Sequence, residues 1–205
     1  GAPLIFVGIA GFILSSFDRW ILADSIGPAA MAEYALAAKF GLLTAILVQP
    51  FDLWWLPRRF NVLHQKHGTK RCAQLGGLGI TISLFSALVI SVLGPILVIW
   101  LTPETYQGAI EYIPWLALLA ALHSCNTTLS LGCYSQKDTH WPAIIDIVSA
   151  TIAAACYLVL IPLLGVIGAI LATSIALGVR FFATLFISQW ILAIPYPFMS
   201  LSILA

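Results

Sequence analysis

From Leu75 to Leu101 the chain runs LGGLGITISLFSALVISVLGPILVIWL without one charged residue. A helix needs about 20 apolar residues to cross the hydrocarbon core of a bilayer, and this stretch exceeds that length. In water, a helix hydrophobic on every side would have to be wrapped by other helices with polar outer faces. The rest of the chain cannot supply them. Of its 205 residues, 61% are hydrophobic and 8% charged, whereas soluble domains carry roughly 25% charged residues. The bilayer must therefore be its solvent.

Six spans can be drawn on that basis, at about Pro3 to Leu22, Ala29 to Leu53, Leu75 to Leu101, Ala109 to Cys133, Pro142 to Ile161 and Val166 to Trp190. The expected fold class is thus all-α, a polytopic membrane protein with a six-helix transmembrane bundle over residues 1–194. Residues 195–205 read as a tail or as the start of a seventh span. Because Gly1 is not a methionine and an apolar run begins almost at once, the chain is expected to be a piece of a longer protein. Pro50, Pro95 and Pro114 would each kink a helix or weaken its end.

Charge placement orients the bundle. Leu56 to Arg71, LPRRFNVLHQKHGTKR, holds Arg58, Arg59, Lys66, Lys70 and Arg71 and no acid. Such a loop marks the cytoplasmic side. The links on either side of its flanking spans hold Asp24 and Glu33, and Glu104 and Glu111, without a base. Lys137, Asp138 and His140 come next, followed by an uncharged turn from Pro162 to Gly165. This alternation predicts both ends in the cytoplasm. Trp54, Trp55, Trp100, Trp115, Trp141 and Trp190 fall near span ends, where amphipathic rings prefer the interface. Cys72, Cys125, Cys133 and Cys156 lack metal-ligand spacing and read as free thiols. No basic surface of a soluble domain exists to take up nucleic acid.

Polar residues recur at helical spacing inside several spans, which places them on single faces. The first span shows Gly8, Gly11, Ser15 and Arg19; the fourth His123, Thr127, Ser130 and Tyr134, with Asn126 beside them. The fifth shows Asp146, Ser149, Ala153 and Cys156 or Tyr157, the sixth Thr173, Ala176, Arg180, Thr184 and Ser188. Narrow polar faces on an apolar bundle most simply meet around a wet interior. A cation at mid-bilayer costs a few kcal/mol on insertion scales and is rare without a role. Arg180, deep in the sixth span, is therefore the leading candidate for a lumen-facing binding residue. Arg19 and Lys39 either face the same lumen or snorkel to the outer interface, and Arg19 has the further option of pairing with an aspartate. His123 and Asn126 either line a polar path or hydrogen-bond helix to helix. Asp52 and Asp146, near the cytoplasmic ends, are explained by interface placement or by pairing with Arg58.

The arrangement resembles the polysaccharide-exporting branch of the multidrug/oligosaccharidyl-lipid/polysaccharide exporter superfamily, the flippases for lipid-linked oligosaccharides. FDRWILADSIGPAAMAEYALAAKF is similar to that family's first hairpin of a lobe, and QPFDLWWLPRRF to its exit into a basic cytoplasmic loop. LGCYSQKDTHWPAI resembles its short polar link before a Pro-started helix, and LIPLLGVIGAILATSIALGVR the Pro/Gly turn and small-residue helix near the end of a lobe. The resemblance implies one lobe, the C-terminal one, of a two-lobe carrier in a bacterial cytoplasmic membrane. That carrier would move an undecaprenyl-pyrophosphate-linked oligosaccharide by alternating access, without a cofactor. Its partners would be the other lobe, membrane lipids, and a polysaccharide polymerase or glycosyltransferases. The family has no fixed positions to carry over, so Arg180, Arg19, Lys39, His123 and Asn126 rest on burial cost and spacing as substrate-binding candidates. A cation-coupled multidrug antiporter of the same superfamily would favour buried acids as its coupling site. An intramembrane enzyme finds no GxSG, no HExxH and no aspartate pair within one span.

Overall fold

The computed structural model describes residues 17–134, 140–192 and 194. Most of the expected first span, with Gly8, Gly11 and Ser15, lies outside the described residues, as do Lys137, Asp138 and the segment from 195 onward. Among the described residues there are helices and turns and no strands. The helices are α1 (Asp18–Ile26), α2 (Pro28–Trp55), α3 (Arg59–Leu63), α4 (Gly68–Leu101), α5 (Ile113–Leu129), α6 (His140–Leu164) and α7 (Val166–Ile191). Two 3-10 turns, Glu104–Glu111 and Gly132–Tyr134, flank α5.

Helices α2, α4, α6 and α7 are each long and apolar enough to cross a membrane. The 3-10 segment Glu104–Glu111 and α5, bent by 50° to one another, make a fifth candidate if taken as one broken span. The break has a local cause: Pro114 sits in the first turn of α5, where its missing N–H costs nothing. Pro50 and Pro95, by contrast, lie within continuous helical assignments. The connections are tight. Gly27, at φ 93°, joins α1 to α2, with Pro28 opening the next helix, and Gly165, at φ 62°, turns α6 into α7. Both backbones occupy a region that favours glycine.

Helices α1, α2, α5, α7 and α6 follow one another in a ring, and α4 packs outside it across α2 and α5. Small residues carry the close approaches. Ala37, Ala117, Ala121, Ala153, Ala169, Ala172 and Ala176 are fully buried, and Gly168 lies against the Leu160 carbonyl, where no Cβ would fit. Many large apolar side chains point outward instead, Phe85, Leu88, Phe182, Phe186 and Trp190 among them, although Leu22, Ile113, Tyr157 and Ile161 are buried between the helices. With apolar solvent outside, association depends on close packing and polar contacts between helices rather than on hiding leucines. The chain is a multi-pass membrane protein by this distribution.

The aromatic belt needs one correction. Trp54, Trp100, Trp115 and Trp190 are exposed as expected of interface residues, but Trp55 is 1% exposed. It belongs to a small core at the basic-loop end with Cys72, Ala73, Leu129 and Leu131. Consecutive residues of a helix point about 100° apart, so Trp54 and Trp55 cannot both face the interface.

Candidate functional site

Inside the ring lies a cavity of about 650 Å³ to which every ring helix contributes. Asp18 and Arg19 come from α1, Tyr34 and Lys39 from α2, His123 from α5, Asp146 from α6, and Thr173 and Arg180 from α7. Leu42, Leu116, Leu119 and Leu177 form its apolar wall. Its volume falls in the ~300–1,000 Å³ range of small-ligand sites.

Arg180 is the centre of the polar end. Its Nη2 donates to Asp146 Oδ1 at 2.7 Å, with the two side chains 17% and 19% exposed. Its Nη1 lies 3.3 Å from His123 Nδ1. A guanidinium has no lone pair to offer, so Nδ1 accepts and the ring proton sits on Nε2. The Nε of Arg180 is buried with no partner among the described residues. Further along, the nearly buried Asp18 accepts from the Tyr34 hydroxyl and, at 2.8 Å, from the backbone N–H of Arg19. Thr173 donates to the Ala169 carbonyl at 2.9 Å, which leaves Tyr157 to donate to Thr173 at 2.8 Å. Lys39 is exposed to the cavity mouth and is in no ion pair among the described residues.

A smaller cavity of about 250 Å³ adjoins the first on the basic-loop side. Arg59, Asn126, Thr127, Ser130, Tyr134 and Thr184 line it, and Arg180 and Asp146 line both cavities. Asn126 is 5% exposed, and its Oδ1 has no partner among the described residues. Burial pushes the Tyr134 phenol up, with Asp146 adding to the effect and Arg59 and Arg180 opposing it, so the hydroxyl keeps its proton as a donor.

Of the sequence candidates, Arg180, Arg19, Lys39 and His123 thus meet around one cavity, while Asn126 lines the other. Arg19 and Lys39 lie on the cavity side, whatever their reach toward the interface. Asp146 is a correction: it pairs with Arg180, whereas Arg58 stands over the Trp54 ring, 5.2 Å from its centroid. Sequence spacing missed the Asp146–Arg180 contact because it joins two helices. A signal did exist. Asp146 lies about nineteen residues before the Gly165 turn and Arg180 about fifteen after it, which brings them to within about one helical turn of the same depth at ~1.5 Å per residue. The Asp18–Tyr34 contact has a similar signal, Asp18 lying about nine residues before the Gly27 turn and Tyr34 about seven after it, whereas the place of Arg59 beside Tyr134 depends on packing between elements distant in sequence. No protein-family model, no curated protein and no solved structure matches this chain.

Proposed function

We propose that this chain is a lobe of a membrane carrier that moves a lipid-linked oligosaccharide, bearing a pyrophosphate, across a bacterial cytoplasmic membrane by alternating access. One observation carries the reading. Arg19, Lys39 and Arg180 line a single cavity with only Asp18 and Asp146 to oppose them, three cations against two carboxylates, and Leu42, Leu116, Leu119 and Leu177 give it an apolar side. Such a cavity suits an amphiphile with an anionic head. Guanidinium groups recognise phosphate oxygens through paired, charge-assisted hydrogen bonds, and an apolar wall tolerates the first carbons of a lipid tail. The bulk of a polyprenyl chain would remain in the bilayer. In this reading the basic loop faces the cytoplasm, and a second lobe, with a polymerase or glycosyltransferases nearby, completes the machinery.

The test is complementation of polysaccharide export by the full-length protein in cells lacking it. Lys39→Gln and Arg180→Ala are each expected to reduce export at least tenfold at equal membrane abundance, with Arg180→Lys intermediate. Full export by Lys39→Gln and Arg180→Ala together removes the reading.

A second reading, a cation-coupled antiporter, has an observation of its own. The carboxylates of Asp18 and Asp146 face the same cavity as the cations, and intramembrane carboxylates commonly mark ion or proton paths. Under that reading Asp18→Asn abolishes drug-driven proton movement in proteoliposomes, and loss of Lys39 matters little.

A further inference from the structure

The loop between α2 and α4 is fastened to the bundle. Phe60, Val62 and Leu63 of α3 pack onto the small core around Trp55 and Cys72. Arg71 Nη1 donates to Gln65 Oε1 at 3.1 Å, which ties the loop to the first turn of α4. Arg59 turns inward and is buried, whereas Arg58, Lys66, Lys70 and Arg71 turn outward and are exposed. None of these four is in an ion pair among the described residues, and neither is Asp52, the nearest acid in the sequence. Their depth follows from the spans. Arg71 precedes the uncharged run at Leu75 by four residues, ~6 Å along a helix at ~1.5 Å per residue. The headgroup layer on each face of a bilayer is about 5–8 Å deep. Trp54 marks the same level on α2, since its neighbour Trp55 shares a core with Cys72, the neighbour of Arg71. The Trp54 ring is exposed, as rings among headgroups are, and the Arg58 guanidinium stands 5.2 Å from its centroid.

We propose that Arg58, Lys66, Lys70 and Arg71 form a docking surface for anionic phospholipid, whose headgroup phosphates they hold at the rim of the bundle. Charge complementarity selects this occupant: basic segments beside a span attract anionic lipid, and these cations lie at the depth where lipid phosphates are. Sidedness of insertion requires cations in the loop, but it does not require that they be held outward at headgroup depth on a fixed scaffold. Helix α4 supplies a second argument. Lys70 and Arg71 stand in its first turn, which holds no acid, and a cation at the positive end of a helix is unfavourably placed. A phosphate beside them offsets both the mutual repulsion of the cations and the repulsion from the helix end. The surface has a structural use. Arg58 follows the end of α2 and Arg71 opens α4, so lipid held between them braces α4, the helix that packs outside the ring. None of this rests on the carrier reading.

The experiment titrates the full chain, in micelles of an uncharged detergent, with phosphatidylglycerol or with phosphatidylcholine of the same acyl chains, and reads bound lipid by native mass spectrometry. Phosphatidylglycerol should bind about tenfold more tightly than phosphatidylcholine, and Lys70→Gln and Arg71→Gln should each weaken its binding about fivefold. Lys70→Arg and Arg71→Lys, which keep the charge, should retain most of the preference. Lys39→Gln should leave it unchanged, which separates the loop from the larger cavity. Equal affinity for the two lipids overturns the proposal, as does an undiminished preference in the Lys66→Gln/Lys70→Gln/Arg71→Gln chain or its loss in Lys39→Gln. Two soluble probes test other occupants. Glycerol phosphate bound as tightly as phosphatidylglycerol would assign the surface to free phosphate, and hexaglutamate bound more tightly would assign it to an acidic protein segment; either result overturns the lipid assignment. The carrier reading is judged separately by Lys39→Gln in the export assay, so the two can fail independently.

Discussion

Arg180 sits near the middle of α7, where an unpaired guanidinium would cost several kcal/mol, and Asp146 at 2.7 Å is what makes that depth tolerable. Removing one partner should therefore hurt more than removing both. Asp146→Leu is expected to lower stability by about 1–3 kcal/mol, below the ~3–5 kcal/mol of a fully buried pair because both side chains keep some exposure. The Asp146→Leu/Arg180→Leu double variant should lose less than the sum of the singles. Unfolding titrations in detergent measure all three, and strictly additive losses would show that the bridge is not coupled. Lys39 is the opposite case. It is exposed and in no ion pair among the described residues, so Lys39→Gln should change stability by less than about 0.5 kcal/mol while reducing export. Residue by residue, what the sequence made legible were cations set within apolar spans: Arg180, Arg19 and Lys39. Their partners were harder to read: the spacing about Gly165 brings Asp146 near the depth of Arg180, but the contact also depends on helix rotation that no single segment encodes.

For the helices, the apolar runs at Ala29, Leu75, Pro142 and Val166 anticipated α2, α4, α6 and α7, since length and lack of charge dictate a span whatever its neighbours are. Two boundaries moved for physical reasons. Helix α4 begins at Gly68, ahead of the apolar run, because Lys70 and Arg71 extend it into water without interrupting its backbone hydrogen bonds. The span expected at Ala109 to Cys133 is broken, with 3-10 turns at both ends of a shorter α5. Packing between helices also separates two glycines that the sequence makes look alike. Gly168 and Gly178 both lie in α7, but a Cβ at Gly168 would collide with the Leu160 backbone, while one at Gly178 meets nothing within 4 Å. Gly168→Ala should thus open the α6–α7 hairpin and lower the thermal midpoint by several degrees. Gly178→Ala should hold or raise it, since alanine gains up to about 1 kcal/mol of helix propensity over glycine. Equal effects of the two substitutions would show that the hairpin is not closed through Gly168.

Taken whole, the molecule exposes a broadly apolar surface along its long helices, which fixes its solvent but not which way up it stands. Orientation follows from charge. Arg58, Lys66, Lys70 and Arg71 are exposed at one end of the bundle, and Glu104 and Glu111 are exposed in the 3-10 segment at the other. The two ends are separated by the length of α4, about 50 Å for a helix of 34 residues at ~1.5 Å per residue. Basic residues are retained on the cytoplasmic side during insertion, and acids have little influence, so the loop around Gln65 should be cytoplasmic and the segment around Thr105 external. Both positions are exposed and neither lines a cavity, which makes each a clean reporter. In the chain with native cysteines replaced, Thr105→Cys should react with an impermeant maleimide in intact cells, and Gln65→Cys only after permeabilisation. The reverse pattern would invert the bundle. It would place the smaller cavity, which adjoins the basic loop, on the outer side.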